Sequence, residues 1–151
     1  MKMIEDYKTL LGVEKETDLK TLKTAYRTVM KQWHPDKFVD NAAELHTAEA
    51  KSKELIEAYH FLVSIADETI AENLPQYNQT ISTEAIVDYQ YKKQTLQITF
   101  SDGSCYEYFN VPKQTFVKLH NADTPNRFAR RHICNNFLYR NISKANLVSV
   151  E

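Results

Sequence analysis

The tripeptide His34-Pro35-Asp36 sets an imidazole and a carboxylate two residues apart. Histidine changes charge near neutral pH, and a carboxylate can orient its proton or take it. Two kinds of chemistry fit such a pair. A general acid–base dyad needs a nucleophile, a metal cluster or a binding pocket beside it, and none accompanies it in the sequence. The other kind is presentation. Pro35 fixes its own φ and stiffens the loop, so that His34 and Asp36 form a rigid polar corner for another molecule to meet. The remaining reactive side chains add no rival. His46, His60, His120 and His132 stand at no metal-ligand spacing. Cys105 and Cys134 lack an identifiable His or Asp partner and read as small apolar residues. The chain therefore reads as a non-enzyme, with no catalytic residue, no metal and no cofactor.

Basic residues supply the second kind of candidate. Lys20, Lys23, Arg27 and Lys31 recur at three and four, which puts them on one face of a helix. Such a ridge beside a rigid polar corner suits docking onto an acidic protein surface, with steering that salt weakens. Arg127, Arg130 and Arg131 fall within about one helical turn, with Arg140 and Lys144 further along. Clustered arginines contact the phosphates of nucleic acid, but they also serve as a solvated helix face or meet an acidic protein.

These residues need elements to hold them. Leu10 and Leu11 before Gly12 mark the end of a short helix, with glycine as the left-handed closing residue. A second helix starts near Thr17 as N-cap, with Asp18 against the helix dipole. Lys20 stands where a capping box would carry Glu or Gln. Leu22, Ala25, Tyr26, Val29, Met30 and Trp33 form its apolar stripe, and Pro35 stops it. A third helix runs from about Asn41 into the sixties and buries Leu55, Ala58, Tyr59 and Leu62. The two long helices form a helical hairpin.

Residues 73–83, NLPQYNQTIST, are polar, unperiodic and interrupted by Pro75, which predicts a linker. Beyond it the period changes to two. Strands are predicted over 85–91, through Leu96, Ile98 and Phe100, and over 105–110, with Asp102-Gly103 as a hairpin turn. Pro112 and Pro125 suit first helical positions, the latter after Thr124 as cap. The predicted fold is α+β: a helical domain over 1–72, a linker over 73–83, and over 84–151 a small antiparallel β-meander followed by short helices.

Composition bounds the function. The 151 residues are 42% hydrophobic and 26% charged, with net charge −1. No apolar run approaches the roughly 20 residues that span a bilayer, and the acidic residues of MKMIEDYKTLLG do not make a secretory signal. Two cysteines are too few for a disulfide scaffold, so the cytoplasm is the expected compartment. The charge is uneven: residues 1–75 carry 10 Lys/Arg against 14 Asp/Glu, and residues 76–151 carry 9 against 6. Two domains with different partners follow.

AYRTVMKQWHPDKF, followed by KELIEAYHFL, resembles the J-domain of DnaJ-type co-chaperones over roughly residues 4–65. The resemblance implies a DnaK-type heat-shock ATPase as partner. It makes His34, Pro35 and Asp36 the trigger of ATP hydrolysis by that partner, and Lys23, Tyr26, Arg27 and Lys31 the docking face. Thr28 and Gln32 stand where the family often carries basic residues, which predicts weaker docking. The basic tail of a fourth helix is replaced by VSIADETIAENLP, and neither a Gly/Phe-rich segment nor a cysteine-rich zinc module is found.

Residues 79–142 resemble the KTSC domain, a short module found alone in bacterial proteins and at the end of some lysyl-tRNA synthetases. LQITFSDGSCYEYFNVP and RFARRHICNNFLYRNI carry the match. Here hairpin register decides what Tyr106 and Tyr108 do. A two-residue Asp102-Gly103 loop puts them on the polar face, free to stack on bases. A three-residue loop over 101–103 puts them beside Leu96 and Ile98, with Glu107 opposite Gln97, and sorts apolar from polar more cleanly. The expected function is that of a J-domain co-chaperone whose C-terminal domain targets it to a client protein or RNA. The alternative is an RNA-binding or assembly module in which the J-like domain is only a scaffold.

Overall fold

The computed structural model describes residues 2–14 and 18–143. It divides into two compact units, residues 1–69 and 70–151.

In the first unit, α1 (Lys2–Leu11) ends at Gly12, whose φ is +69°. Gly12 N–H donates to the Thr9 carbonyl and Val13 N–H to that of Lys8, the paired bonds of a Schellman closure. Helix α2 spans Leu19–Trp33. Its N-cap is Asp18, whose carboxylate accepts from Thr21 N–H at 2.8 Å, and hydrogen bonding from the Thr21 side chain and backbone holds the Asp18 carboxyl below its usual range. The cap is thus one residue later than predicted, and Thr17 lies outside the described residues. A second end-group of α2, Leu19 N–H, donates to the Glu68 carboxylate at 2.9 Å. A 3-10 turn, Pro35–Phe38, joins α2 to α3 (Ala42–Ile65), where Asn41 Oδ1 accepts from Ala43 and Glu44 N–H.

Two contacts fix the hairpin as antiparallel: Trp33 meets Ser52, and seven residues back Tyr26 stacks on Tyr59, seven residues on. The predicted Leu55, Ala58, Tyr59 and Leu62 are buried, joined by Leu11, Leu22, Ala48 and Phe61. Burial pushes the Tyr59 hydroxyl up, with Arg27 pulling the other way.

The predicted linker is corrected by the structure. Residues 73–83 are the body of α4 (Asp67–Thr83), which continues through Pro75. Tyr77, Thr80 and Ile81 recur at three and four, and all three are buried in the second unit's core. Pro75 removes one donor and faces solvent, so water can reach the carbonyl it leaves, that of exposed Ala71. A fourth helix is therefore present, with Asp67 and Glu68 in its first turn rather than a basic tail.

The sheet has four antiparallel strands in chain order: β1 (Ile86–Lys92), β2 (Thr95–Phe100), β3 (Cys105–Tyr108) and β4 (Tyr139–Asn141). Two more helices, α5 (Lys113–His120) and α6 (Pro125–His132), fall between β3 and β4. Pro125 opens α6 as predicted, although the Thr124 side chain makes no capping bond, and Pro112 is the N-cap of α5 rather than its first residue. Gln97 pairs with Glu107 and Ile98 with Tyr106, which is the three-residue register. Tyr106 and Tyr108 accordingly lie in the core with Leu96, Ile98 and Phe100, against Tyr77, Leu119, Ala129 and Ile133 from the helical segments. Base stacking on these two tyrosines is excluded in this fold, because one sheet face cannot be both core and platform.

Candidate functional site

The last turn of α2 and the turn after it form the first candidate site. Lys20, Lys23, Arg27 and Lys31 are all exposed and lie within an arc of about 80° on α2. Thr24 and Thr28, which carry no charge, bond back to the carbonyls of Lys20 and Thr24.

At His34 the chain leaves the helix with ψ of 130°, and Pro35 starts the 3-10 turn. The corner is stiffened from within. Asp36 N–H donates to His34 Nδ1 at 3.2 Å, and Lys37 N–H to the His34 carbonyl at 3.0 Å. The Asp36 carboxylate also stands 3.5 Å from His34 Nδ1. One nitrogen cannot accept and donate at once, so the backbone bond requires a ring whose Nδ1 is bare, and pairing with the carboxylate requires one that carries a proton there. The side chains are 50% exposed at His34 and 89% at Asp36, so the corner is open to a partner.

Support comes from below. Ser52 Oγ donates to the Trp33 carbonyl at 2.9 Å, occupying one of the end carbonyls of α2 immediately before the corner. Tyr26 lies parallel to Tyr59 with ring centroids 4.3 Å apart, which fixes the helix face behind the corner.

A groove of about 470 Å³ gathers Tyr26, Arg27, Met30, Lys31, His34, Asp36 and Lys37. It brings together every predicted docking residue except Lys23, one turn back on the ridge, and Pro35, in the turn itself. Met30 and Lys37 were not predicted as site residues. The helical periodicity already placed Met30 next to Tyr26 and Lys31; Lys37 follows the corner directly, and only the 3-10 turn brings it to the groove.

The arginine group of the second unit is divided by the fold. Arg127, Arg130 and Arg131 are exposed on α6. Arg140 is not part of that face: on β4 it donates to the Glu107 carboxylate of β3 at 2.9 Å, a cross-strand pair with both side chains about four-fifths covered. Lys144 lies outside the described residues. Cys134 is buried, which pushes its thiol up, and Cys105 is half-buried beside Thr99. Among the described residues no three His, Cys, Asp or Glu side chains gather as a metal site, and no helix is long and apolar enough to cross a membrane.

Set against known proteins, residues 6–69 match the DnaJ domain and residues 82–137 the KTSC domain. Sixty residues are 45% identical to a chaperone protein DnaJ of Thermoplasma volcanium, covering 40% of this chain and 16% of that protein. Sixty-six residues are 46% identical to a chaperone protein DnaJ of Mesomycoplasma hyopneumoniae, covering 43% and 17%. A curved DNA-binding protein of Salmonella choleraesuis is 41% identical over 59 residues, covering 39% and 18%. The matched segment thus spans less than a fifth of these relatives. No solved structure matches the chain.

Proposed function

From a chain that joins a DnaJ domain to a KTSC domain, we propose a co-chaperone that docks on a DnaK-type heat-shock ATPase and stimulates its ATP hydrolysis. The observation that carries the proposal is the groove in which Tyr26, Arg27, Lys31, His34 and Asp36 converge beside an open, internally braced corner. Arg27, Lys31 and Lys37 give it a cationic rim, and Tyr26 and Met30 give it an apolar lining. That combination suits an acidic protein surface with a buried centre, where charge steers encounter and apolar contact holds it. The hydrolysis belongs to the partner, and this chain supplies no catalytic group. In this reading the KTSC domain brings the activity to a client protein or RNA, and the protein works in the cytoplasm.

The test is steady-state ATP turnover by the DnaK-type ATPase of the same organism, with wild-type protein and with His34→Gln. Wild type raises turnover, the variant leaves it at the basal level, and raising salt weakens the wild-type effect. No stimulation by wild type, or equal stimulation by His34→Gln, would leave the DnaJ domain as a scaffold and overturn the proposal.

A further inference from the structure

We propose that strand β1, the open edge of the second unit's sheet, pairs antiparallel with β1 of a second copy of this chain, joining two four-stranded sheets into one. The pairing is centred on Gln90 and is independent of docking by the DnaJ domain.

Three observations carry it. First, β1 is an unpaired edge of useful length. The sheet runs β1-β2-β3-β4, and β4 at the opposite edge has three residues against seven in β1. The turn between β1 and β2 holds two residues, so Lys92 and Thr95 close it as a hydrogen-bonded pair. Alternation along the ladder then directs the N–H and C=O of Asp88, Gln90 and Lys92 to β2 and those of Tyr89 and Tyr91 outward. There they have no partner among the described residues. Second, the edge is complementary to itself. A bulge between Ile86 and Asp88 ends its regular stretch on one side and the turn ends it on the other, which leaves residues 88–92 with Gln90 in the middle. Turned about an axis through Gln90, a second copy sets Tyr89 against Tyr91 as a hydrogen-bonded pair, in phase with the outward groups. The same turn sets Asp88 against Lys92 of the other copy, twice over. Both are exposed, and neither is in an ion pair among the described residues. Centring on Asp88 or on Lys92 sets like charges opposite each other, and centring on Tyr89 or Tyr91 leaves both charges without an opposite. Third, the strand is already held straight. Tyr91 stacks on Phe116 with centroids 4.5 Å apart, and Tyr89 meets the same ring edge-on, its hydroxyl 2.7 Å from His120 Nδ1. Pairing therefore has little left to order.

The same pattern separates a second copy from a client strand. An extended peptide would also take the outward N–H and C=O groups, but a main-chain ladder is indifferent to charge on the polar face. It gives no reason for an acid and a base to stand two residues either side of the midpoint of the usable edge. A copy of the strand run the other way meets both. Charges that ordinarily keep edges from pairing then become the ones that fix the register. The contact is small, so a weak dimer that depends on concentration is expected rather than an obligate one.

The experiment is sedimentation equilibrium of the full chain from about 1 µM to about 1 mM, the range of moderate to weak dissociation constants. Wild type rises with concentration toward twice the monomer mass. Asp88→Lys and Lys92→Asp each weaken the dimer roughly tenfold or more, because each sets like charges opposite twice over. Mixed in equal amounts the two variants form a heterodimer, and the double variant Asp88→Lys/Lys92→Asp dimerises like wild type. His34→Gln also dimerises like wild type, which keeps this result apart from that of the ATPase test. Gln90→Cys reads the register. Opposite residues of a non-hydrogen-bonded pair have Cα atoms about 4.5 Å apart, within disulfide reach, so mild oxidation links this variant across the axis. Asp88→Cys, about 14 Å from its own counterpart, stays unlinked, as does wild type. Circular dichroism on each variant verifies its fold. The inference fails if wild type stays monomeric throughout, if the single charge variants dimerise like wild type, or if Gln90→Cys is linked no more than Asp88→Cys. It also fails if the Tyr89 and Tyr91 amides of a monomeric chain gain exchange protection from an added extended peptide, an outcome that would assign the edge to a client strand.

Discussion

Tyr139 carries a buried hydroxyl that has no hydrogen-bond partner among the described residues, while its ring lies parallel to that of Tyr77 at 4.1 Å. The contrast with Tyr77 is instructive. Tyr77 Oη donates to the Cys134 carbonyl at 2.6 Å, which uses its single hydrogen, so Tyr108 Oη, 3.0 Å away, must be the donor between the two. An unmet buried donor costs about 1–3 kcal/mol, whereas a met one is roughly neutral to favourable. Tyr139→Phe is therefore expected to keep the stacking and raise stability by up to about 1 kcal/mol, read from the urea midpoint. A lowered midpoint would show that the hydroxyl does have a partner. At this scale the sequence is legible where chemistry is local: His34, Pro35 and Asp36 announce a presented corner by type and order alone. Ser52 does not announce itself, because its bond to Trp33 spans 19 residues and depends on how two helices cross.

Helix α4 shows how an element is misread. Residues 73–83 contain few apolar side chains and a proline, and both features speak for a loop. What makes the segment helical is on the other side of the core. Thr80 is fully buried yet donates to the Asp102 carboxylate at 3.0 Å, and Tyr77 finds its partners on β3 and after α6. Burial pushes the Asp102 carboxyl up, but the bonds from Ser104 and Thr80 outweigh it and leave the group below its ordinary range. Pro75 remains a local cost inside an otherwise regular helix. Pro75→Ala restores the missing donor and removes the clash with the preceding turn, worth up to about 3 kcal/mol, less the entropy that proline takes from the unfolded chain. A net rise of about 1–2 kcal/mol in unfolding free energy is expected by urea titration, and a fall would mean that the bend at Pro75 is needed for packing. The hairpin of β2 and β3 was legible because a one-residue slip exchanges its faces, and only one register buries Leu96, Ile98, Tyr106 and Tyr108 together. The turn between β1 and β2 carried no such signal: Lys93 and Gln94 take φ of +49° and +63° without the usual Asn-Gly. Strand β4 is three residues long, too short for an alternating pattern.

Over the whole molecule, the two units differ in what their cores are made of. The first is held by aliphatic and aromatic side chains around α3, whereas the second packs Tyr77, Tyr106, Tyr108 and Tyr139 together. Burial pushes the hydroxyls of all four up, that of Tyr139 to about 12. A tyrosine with a raised folded-state pKa contributes stability that is complete below its ordinary value of about 10 and is lost as pH rises toward and through the folded value. The second unit is therefore expected to lose structure cooperatively above about pH 10, with tyrosinate absorbance of the buried rings appearing together with loss of circular dichroism. Tyrosinate absorbance of all nine tyrosines developing without any change in circular dichroism would contradict the packing described.

Periodicity and turn chemistry, which depend on neighbours within a few residues, were enough to read the two-part α+β organisation, the stripe of α2, the presented corner and the favoured register of the β2–β3 hairpin. Tertiary structure alone decided that residues 73–83 join the second core, that Arg140 spends its charge on Glu107 rather than on a partner, and that Met30 and Lys37 complete the groove. The reason is physical. Whether a polar side chain is buried, paired or left open depends on groups brought to it from distant segments, and a linear pattern records only the groups next door.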